Sequence, residues 1–251
     1  MYDPETEETR DFWNRVAADW QIQVGSEGDR NRFLNSDPVL WAFAGDVTGS
    51  KVLDAGCGTG YLSRQLAARG ALVTGVDLSE RMIAIAQAQS PEIPFRVDSC
   101  SELQTIEDAH FDLLVSNYVL MDLPDLEAAV RAFYRVLKSG GVAVVVFSHP
   151  CFPQGGAATL KRGAGIGYRW KSSYFERAKR IDPPWKHFTS DFIWFHRPLS
   201  DYWKAFLTAG FTVTGFEEPH LTEDRVHLAV SALELEQCRT RPYSVAFQLR
   251  R

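Results

Sequence analysis

The sequence predicts an α/β fold built on a seven-stranded, mostly parallel sheet with helices on both faces. Three observations carry that expectation. Strand-like and helix-like stretches alternate from Lys51 to Ser148, the strand-like ones are nearly unbroken apolar runs, and a glycine-rich turn follows the first of them. Repeated strand–helix units of this length set strands in parallel, and apolar runs without alternation belong to strands covered on both faces.

The elements follow in order. Before residue 50, "TRDFWNRVAADWQI" has helical spacing and forms an N-terminal cap, residues 1–49, outside the sheet. "KVLDAG" reads as a buried strand and "YLSRQLAARG" as a helix closed by its glycine. "ALVTGVD", "PFRVDS", "FDLLVSNY" and "VAVVVFS" supply the next four strands of a core spanning 50–148. "SERMIAIAQAQ" and "DLEAAVRAFYRVLKSGG" supply helices, the second stopped by Gly140 and Gly141. After Ser148 the rhythm breaks into an insertion, residues 149–196. It holds Tyr168, Trp170, Tyr174, Phe175, Trp185, Phe188, Phe192, Trp194 and Phe195. In 197–251 "PLSDYWKAFLTAG" is a helix, while "FTVTGFEE" and "VHLAVSALEL" are two strands able to pair as a hairpin. One antiparallel strand then closes the sheet's end. No internal repeat is present, and the chain, 1–251, reads as a single domain.

Composition bounds the function. With 45% hydrophobic and 24% charged residues among 251, the chain has ample core material and an ordinary globular balance. A net charge of −5 disfavours a nucleic-acid partner, which demands a basic face. There is no apolar run of the ~20 residues a membrane span requires, and "MYDPETEETRDFW" is too acidic and polar for a signal peptide. No membrane partner and a cytoplasmic location are therefore expected. Cys57, Cys100, Cys151 and Cys238 lie far apart without zinc-ligand spacing, so reduced thiols and no metal are expected.

The stretch "KVLDAGCGTGYLSRQLAARG" carries the chemistry. A dinucleotide fingerprint is GxGxxG with a pyrophosphate at the helix N-terminus. Here the glycines are Gly56, Gly58 and Gly60, so the third comes one residue early, and Asp54 precedes the first by two. A carboxylate beside a pyrophosphate is unfavourable, whereas a cofactor with an amino group and a sulfonium welcomes it. Asp77 ends the next strand, placed to accept hydrogen bonds from ribose hydroxyls.

With these residues the chain resembles the class I S-adenosylmethionine-dependent methyltransferases, particularly their small-molecule branch. "VLDAGCGTG" is similar to the family's first motif, "VTGVDLSERMIAIA" to its second and "RVDSCSEL" to its adenine-contacting segment. "FDLLVSNYVLMDLPD" and "LKSGGVAVVVF" match its fourth and fifth strands. The resemblance implies a Rossmann-like sheet and a cofactor site at Asp54, Gly56, Cys57, Gly58, Asp77, Leu78, Asp98, Ser99 and Asn117. Gly56 and Gly58 would face the methionyl part, Asp77 the ribose, Asp98 and Ser99 the adenine, and Asn117 would lie under the cofactor. Apart from the resemblance, Asp29 and Arg32 read either as closing over the cofactor's methionyl end, with Arg32 pairing its carboxylate, or as part of a solvated loop. S-adenosylhomocysteine would be the product.

Methyl transfer obliges few side chains, so the acceptor is harder to read than the cofactor. A general base is needed only if the acceptor carries its proton. His149, just past strand five, is the candidate base. Tyr118, Phe152, Trp185, His187 and Trp194 are the candidates for touching the acceptor. The aromatic insertion reads either as a lid over that molecule or as a small core of its own. DPPW at 182–185 resembles an adenine-methylating motif but falls outside strand four, and reads as a loop turn. Cys151 lacks the basic flanks of cytosine-methylating enzymes. The expected function is methyl transfer to oxygen, nitrogen or carbon of a small molecule in biosynthetic or specialised metabolism, by a monomer or homodimer. The alternatives are an RNA or protein methyltransferase and a cofactor-binding protein without transfer activity.

Overall fold

The computed structural model describes residues 2–152, 160–162, 165–167 and 172–251. Tyr168 and Trp170 lie outside the described residues. Two helices, α1 (Pro4–Val24) and α2 (Asp37–Ala44), precede the sheet, separated by a π-type turn at Arg32–Ser36. Then come β1 (Lys51–Ala55), α3 (Tyr61–Ala68), β2 (Leu72–Asp77), α4 (Glu80–Gln89), β3 (Phe95–Val97) and β4 (Phe111–Asn117). A short 3-10 turn at Leu120–Asp122 leads to α5 (Leu126–Val136) and β5 (Leu137–Ser148).

The insertion contributes two antiparallel hairpins, β6 (Leu160–Arg162) with β7 (Gly165–Gly167) and β8 (Ala178–Asp182) with β9 (Phe192–His196). DPPW lies at the turn between β8 and β9. The chain ends with α6 (Leu199–Ala209), β10 (Thr212–Glu217), α7 (Ala232–Thr240) and β11 (Ser244–Arg250).

Seven strands form one sheet in the order β10–β11–β5–β4–β1–β2–β3. β11, last in the chain, is the antiparallel one, running against both β5 and β10. Neighbouring residues of the central strands enter opposite cores. Leu53, Leu114, Val145 and Phe147 pack with α5 and α6, whereas Val52, Val115, Val144 and Val146 pack with α2, α3 and α4. Two apolar faces per strand explain the unbroken runs in the sequence. Among the described residues, no helix is long and apolar enough to cross a membrane.

Two sequence expectations are corrected. "VHLAVSALEL" is not a strand: Glu223–Leu228 is a 3-10 turn and Ala232–Thr240 is α7. Val230 and Leu233 are 73% and 52% exposed, and only Ala229 and Leu235 of the run pack, against a small cluster of Leu34, Leu221 and Cys238 apart from the sheet. Ser231 caps α7 by accepting from Glu234 N–H, and Glu234 reaches back to Val230 N–H. The S-x-x-E spacing for that cap is visible in the sequence. The antiparallel strand is "SVAFQLR" instead, with Val245, Phe247 and Leu249 facing one core and Ala246 the other.

The long helix also ends early, at Val136, because Leu137 pairs with Phe111 and is buried in the sheet. Gly140 and Gly141 fall in an irregularity of β5 between that pair and Leu113–Val142. Gly140, at φ +77°, donates its N–H to the Arg251 carbonyl.

Candidate functional site

The cleft begins where β1 ends. Gly56 and Cys57 both donate their N–H groups to the Val76 carbonyl at 2.8 and 2.9 Å, folding the loop onto β2. Gly56 sits at φ +79°, and a Cβ there would come within 2.4 Å of the Val119 side chain. Only glycine satisfies both the backbone and the approach. Gly58 donates to Asp77 Oδ2 at 2.8 Å, while Asp77 Oδ1 accepts from Ser79 N–H at 2.9 Å. Asp77 therefore braces the loop and the start of α4 together. Burial pushes its carboxyl up to about 6.

Asp54 lies behind this loop, 2% exposed, and its Oδ2 accepts from Ser63 Oγ at 2.6 Å. Burial pushes it up to about 7. It supports α3 from inside and does not line the cleft. Cys57 does line it, but burial holds its thiol well above the ordinary range, so it packs in protonated form.

The opposite wall is α1. Asn14 fixes it: Asn14 Oδ1 accepts from Ser79 Oγ at 2.6 Å and Arg81 N–H at 3.2 Å, and its Nδ2 donates to Glu80 Oε2 at 2.7 Å. This clamp brings Thr6, Thr9, Trp13 and Trp20 over the glycine loop. On its other side α1 packs Phe12 and Val16 against Phe188, Ile193 and Phe195 of the insertion. The described part of the insertion thus forms a small core with α1, and Trp13 and Trp20 join that core to the cleft.

Arg32 closes one end of the cleft. It is buried, pairs with Asp29 at 3.3 Å, and its guanidinium lies 5.6 Å from the Trp20 ring centroid and 5.7 Å from that of Tyr61. Beneath it, Asn117 donates from Nδ2 to Ser36 Oγ at 3.3 Å. Its Oδ1 is buried and has no hydrogen-bond partner among the described residues, as is also true of Thr9 Oγ1. Tyr118 follows at φ +59°, a left-handed conformation that a bulky residue adopts only under constraint. Its N–H donates to Val146 O at 2.7 Å and its phenol is hydrogen-bonded to Ser244 Oγ. Burial pushes the phenol up to about 12.

Gly56, Cys57, Gly58, Asp77, Leu78, Ser99, Asn117, Arg32 and Tyr118 therefore share one cleft, which encloses about 730 Å³ of space including its mouth. Asp98 is not brought to it. Its carboxylate instead accepts from Thr105 N–H at 2.7 Å, Thr105 Oγ1 at 2.6 Å and Gln104 N–H at 3.2 Å, closing the 98–105 loop.

Nor does His149 reach the cleft. Its Nδ1 accepts from Cys151 N–H at 3.1 Å, which leaves Nε2–H facing Glu218 Oε1 at 2.7 Å. Burial holds its pKa below the ordinary value against the pull of Glu218. Both nitrogens are thus hydrogen-bonded beside the ends of β5 and β10, and His149 is not among the residues that line the cleft. Phe152 lies beside it, ring centroids 5.4 Å apart. Trp185 packs on Phe188 and Phe192, His187 Nε2 bonds the Asp19 carbonyl at 2.9 Å, and Trp194 donates to Asp182 at 2.8 Å. None of these four lines the cleft; the last three serve the contact between insertion and α1 or the β8–β9 hairpin.

The α1 wall and the acid of the strand-four turn, Asp122, were not singled out from sequence as site residues. Thr6, Thr9, Trp13 and Trp20 fall at i, i+3, i+7 and i+14, one face of a helix, so a signal for the first was present.

The lining suits S-adenosylmethionine. Asn117 Oδ1 is an unpartnered acceptor for an ammonium, Arg32 a cation for a carboxylate, Asp77 an acceptor for hydroxyls, and Gly56 a position where a side chain has no room.

Comparison with known proteins agrees with this geometry. Residues 53–145 match the family described as Methyltransferase domain. A ubiquinone biosynthesis O-methyltransferase of Idiomarina loihiensis is 42% identical over 123 residues, 46% of this chain and 51% of that protein. One from Pseudomonas putida is 38% identical over 99 residues, 38% of this chain and 43% of its own. The chain thus spans about half the length of the curated relatives it matches. An S-adenosylmethionine-dependent methyltransferase of Mesorhizobium loti superposes with a TM-score of 0.70 at 25% identity, covering 85% of this chain and 96% of the other. The magnesium protoporphyrin IX methyltransferase of Synechocystis PCC 6803, solved with bound S-adenosylmethionine, shares the fold, with a TM-score of 0.62 at 19% identity over 100% and 98% of the two chains.

Proposed function

We propose that the chain is a class I S-adenosylmethionine-dependent methyltransferase that transfers a methyl group to an oxygen of a small molecule in biosynthetic metabolism. The observation that carries this reading is the meeting in one cleft of the Gly56–Gly58 loop, the Asp77 carboxylate and the unpartnered Asn117 Oδ1. Oxygen is favoured over nitrogen or carbon because the relatives matched are O-methyltransferases. An uncharged small acceptor suits an acidic chain better than RNA does. A cytoplasmic monomer or homodimer acting without metal completes the proposal.

When bound, S-adenosylmethionine supplies a methyl electrophile on a cationic sulfur. The residues of the chain bind, orient and exclude water. Asp77, raised to about 6, is still mainly ionised at pH 7.5 and accepts from the ribose hydroxyls. Asn117 Oδ1 accepts from the ammonium, and Arg32 pairs the carboxylate in a charge-assisted contact. Trp13 and Trp20 cover the opening, which strengthens these contacts by keeping water out. With the cofactor fixed, the chain has only to bring a nucleophile into line at roughly 3 Å.

The test uses methyl-labelled S-adenosylmethionine and a cell extract split by size. Label in the metabolite fraction, lost with Asp77→Ala, is the expected result. Label only in protein or RNA would replace the acceptor class, and no label in either fraction would leave cofactor binding without transfer.

A further inference from the structure

The turn Leu120–Asp122 after β4 places one more acid in the cleft. Asp122 N–H donates to Val119 O at 2.8 Å, which closes the turn, and Asp122 lines the cleft together with Leu123 and Pro124. Among the described residues its carboxylate has no hydrogen bond and no ion pair. A carboxylate held among apolar neighbours without a partner lowers stability, so a structural role does not account for it. Chemistry that needs a lone pair does.

We propose that Asp122 is the general base that takes the proton from an uncharged hydroxyl acceptor during methyl transfer. The inference rests on the methyl-transfer reading above. The acceptor O–H bond breaks with its proton passing to an Asp122 oxygen, and an O–CH3 bond forms. The S–CH3 bond breaks with its electron pair kept by sulfur, so the cationic sulfonium becomes a neutral thioether. Asp122 later releases the proton to water.

The other titratable groups facing the cleft are committed elsewhere. Asp77, from β2, accepts two backbone N–H bonds. The Cys57 and Cys100 thiols are held protonated by burial. Tyr118 is tied to Ser244, and Arg32, across the cleft, is paired with Asp29. Behind the turn, Arg197 donates to the Leu123 and Pro124 carbonyls at 2.7 and 2.6 Å rather than to Asp122, and Tyr202 packs in the core. No histidine or lysine lines the cleft among the described residues.

Burial, with a smaller contribution from the Asp77 charge, pushes Asp122 well above the usual carboxylate range. A base raised in this way is better matched to a hydroxyl proton. The acceptor class follows from the same groups. A neutral amine attacks through its lone pair without prior proton loss, whereas a hydroxyl must shed its proton. Among the described residues the cleft is lined by two carboxylates, Asp77 and Asp122, and one cation, Arg32, which is paired with Asp29; that balance repels an acceptor that carries acidic groups.

The test compares wild type with Asp122→Asn and Asp122→Ala in three measurements: label transfer to the metabolite fraction between pH 5.5 and 9, S-adenosylhomocysteine affinity by calorimetry, and carboxyl titration by carbon NMR of aspartate-labelled protein. Both variants are expected to lose ~100-fold or more of the transfer while homocysteine-product affinity stays within about twofold, as for a residue outside the cofactor contacts. Wild-type transfer should fall as pH drops through a carboxyl titration that the NMR places above the ordinary range, and that resonance should vanish in Asp122→Asn. Melting temperature reports whether each variant folds. Transfer by Asp122→Asn within threefold of wild type, a parallel loss of cofactor affinity, or a product methylated on nitrogen would each overturn the assignment. An inert wild type overturns the methyl-transfer reading, and this one with it, whereas an active wild type with active variants overturns only the base.

Discussion

The two halves of the cleft are built on different principles. On the cofactor side the glycine loop, Asp77 and Ser79 lie within 24 residues of one another and are joined by backbone N–H groups that donate to the Asp77 carboxylate and the Val76 carbonyl. On the opposite side the wall comes from α1, the turn after β4 and, through Phe188 and Phe195, a segment far along the chain. The first half is local and polar; the second is tertiary and largely apolar. Local hydrogen-bonded turns leave a sequence signature, and assembled apolar walls do not.

The sharpest break of this contrast is Gly56→Ala. Its Cβ would meet Val119 at 2.4 Å in a left-handed backbone, so the strain of ~1–3 kcal/mol and the blocked cleft add. S-adenosylhomocysteine affinity by calorimetry is expected to fall by at least ~100-fold. On the other side, Asn14→Ala removes three hydrogen bonds that pin α1 to α4. A loss of about 1–3 kcal/mol of stability is expected in denaturant unfolding, with weaker cofactor binding as the α1 wall loosens.

A pH series separates the halves further. Asp54 and Asp77 are raised in the folded chain, to about 7 and about 6, from a reference of 3.8. The folded state therefore holds protons that the unfolded state has released. Stability from these groups is present at low pH and lost as pH rises through about 7. Melting temperature of the cofactor-free protein should fall from pH 5 to pH 8, and Asp54→Asn should flatten part of that slope.

The smallest effect on chemistry is expected at His149. His149→Ala removes the bonds to Glu218 and Cys151 N–H and should cost about 1–2 kcal/mol of stability by thermal unfolding. Label transfer should stay within about threefold of wild type. A large loss of turnover with an intact fold would return this residue to the mechanism.

The sheet was most legible at β1, β4 and β5, which bury both faces and therefore read as apolar runs, whereas the edge strand β3 buries only Phe95. The cofactor wall was legible through glycine spacing and the acids at strand ends, although Asp54 and Asp98 turn to Ser63 and Thr105 instead of the cleft. β11 was missed because "VHLAVSALEL" is the more apolar run, yet its Val230 and Leu233 are exposed and its Ala229 and Leu235 pack away from the sheet. A position just past strand five says which end of the sheet His149 occupies, not which neighbour its ring will meet. Glu218, 69 residues away, supplies that neighbour.

The measurement that tests the central claim most directly is a calorimetric titration of the protein with S-adenosylhomocysteine, repeated with Asp77→Ala and with NADH. The cleft geometry predicts saturable one-to-one binding of S-adenosylhomocysteine, weakened about 10- to 100-fold by the substitution, and no binding of NADH. Binding of NADH with indifference to S-adenosylhomocysteine would contradict it.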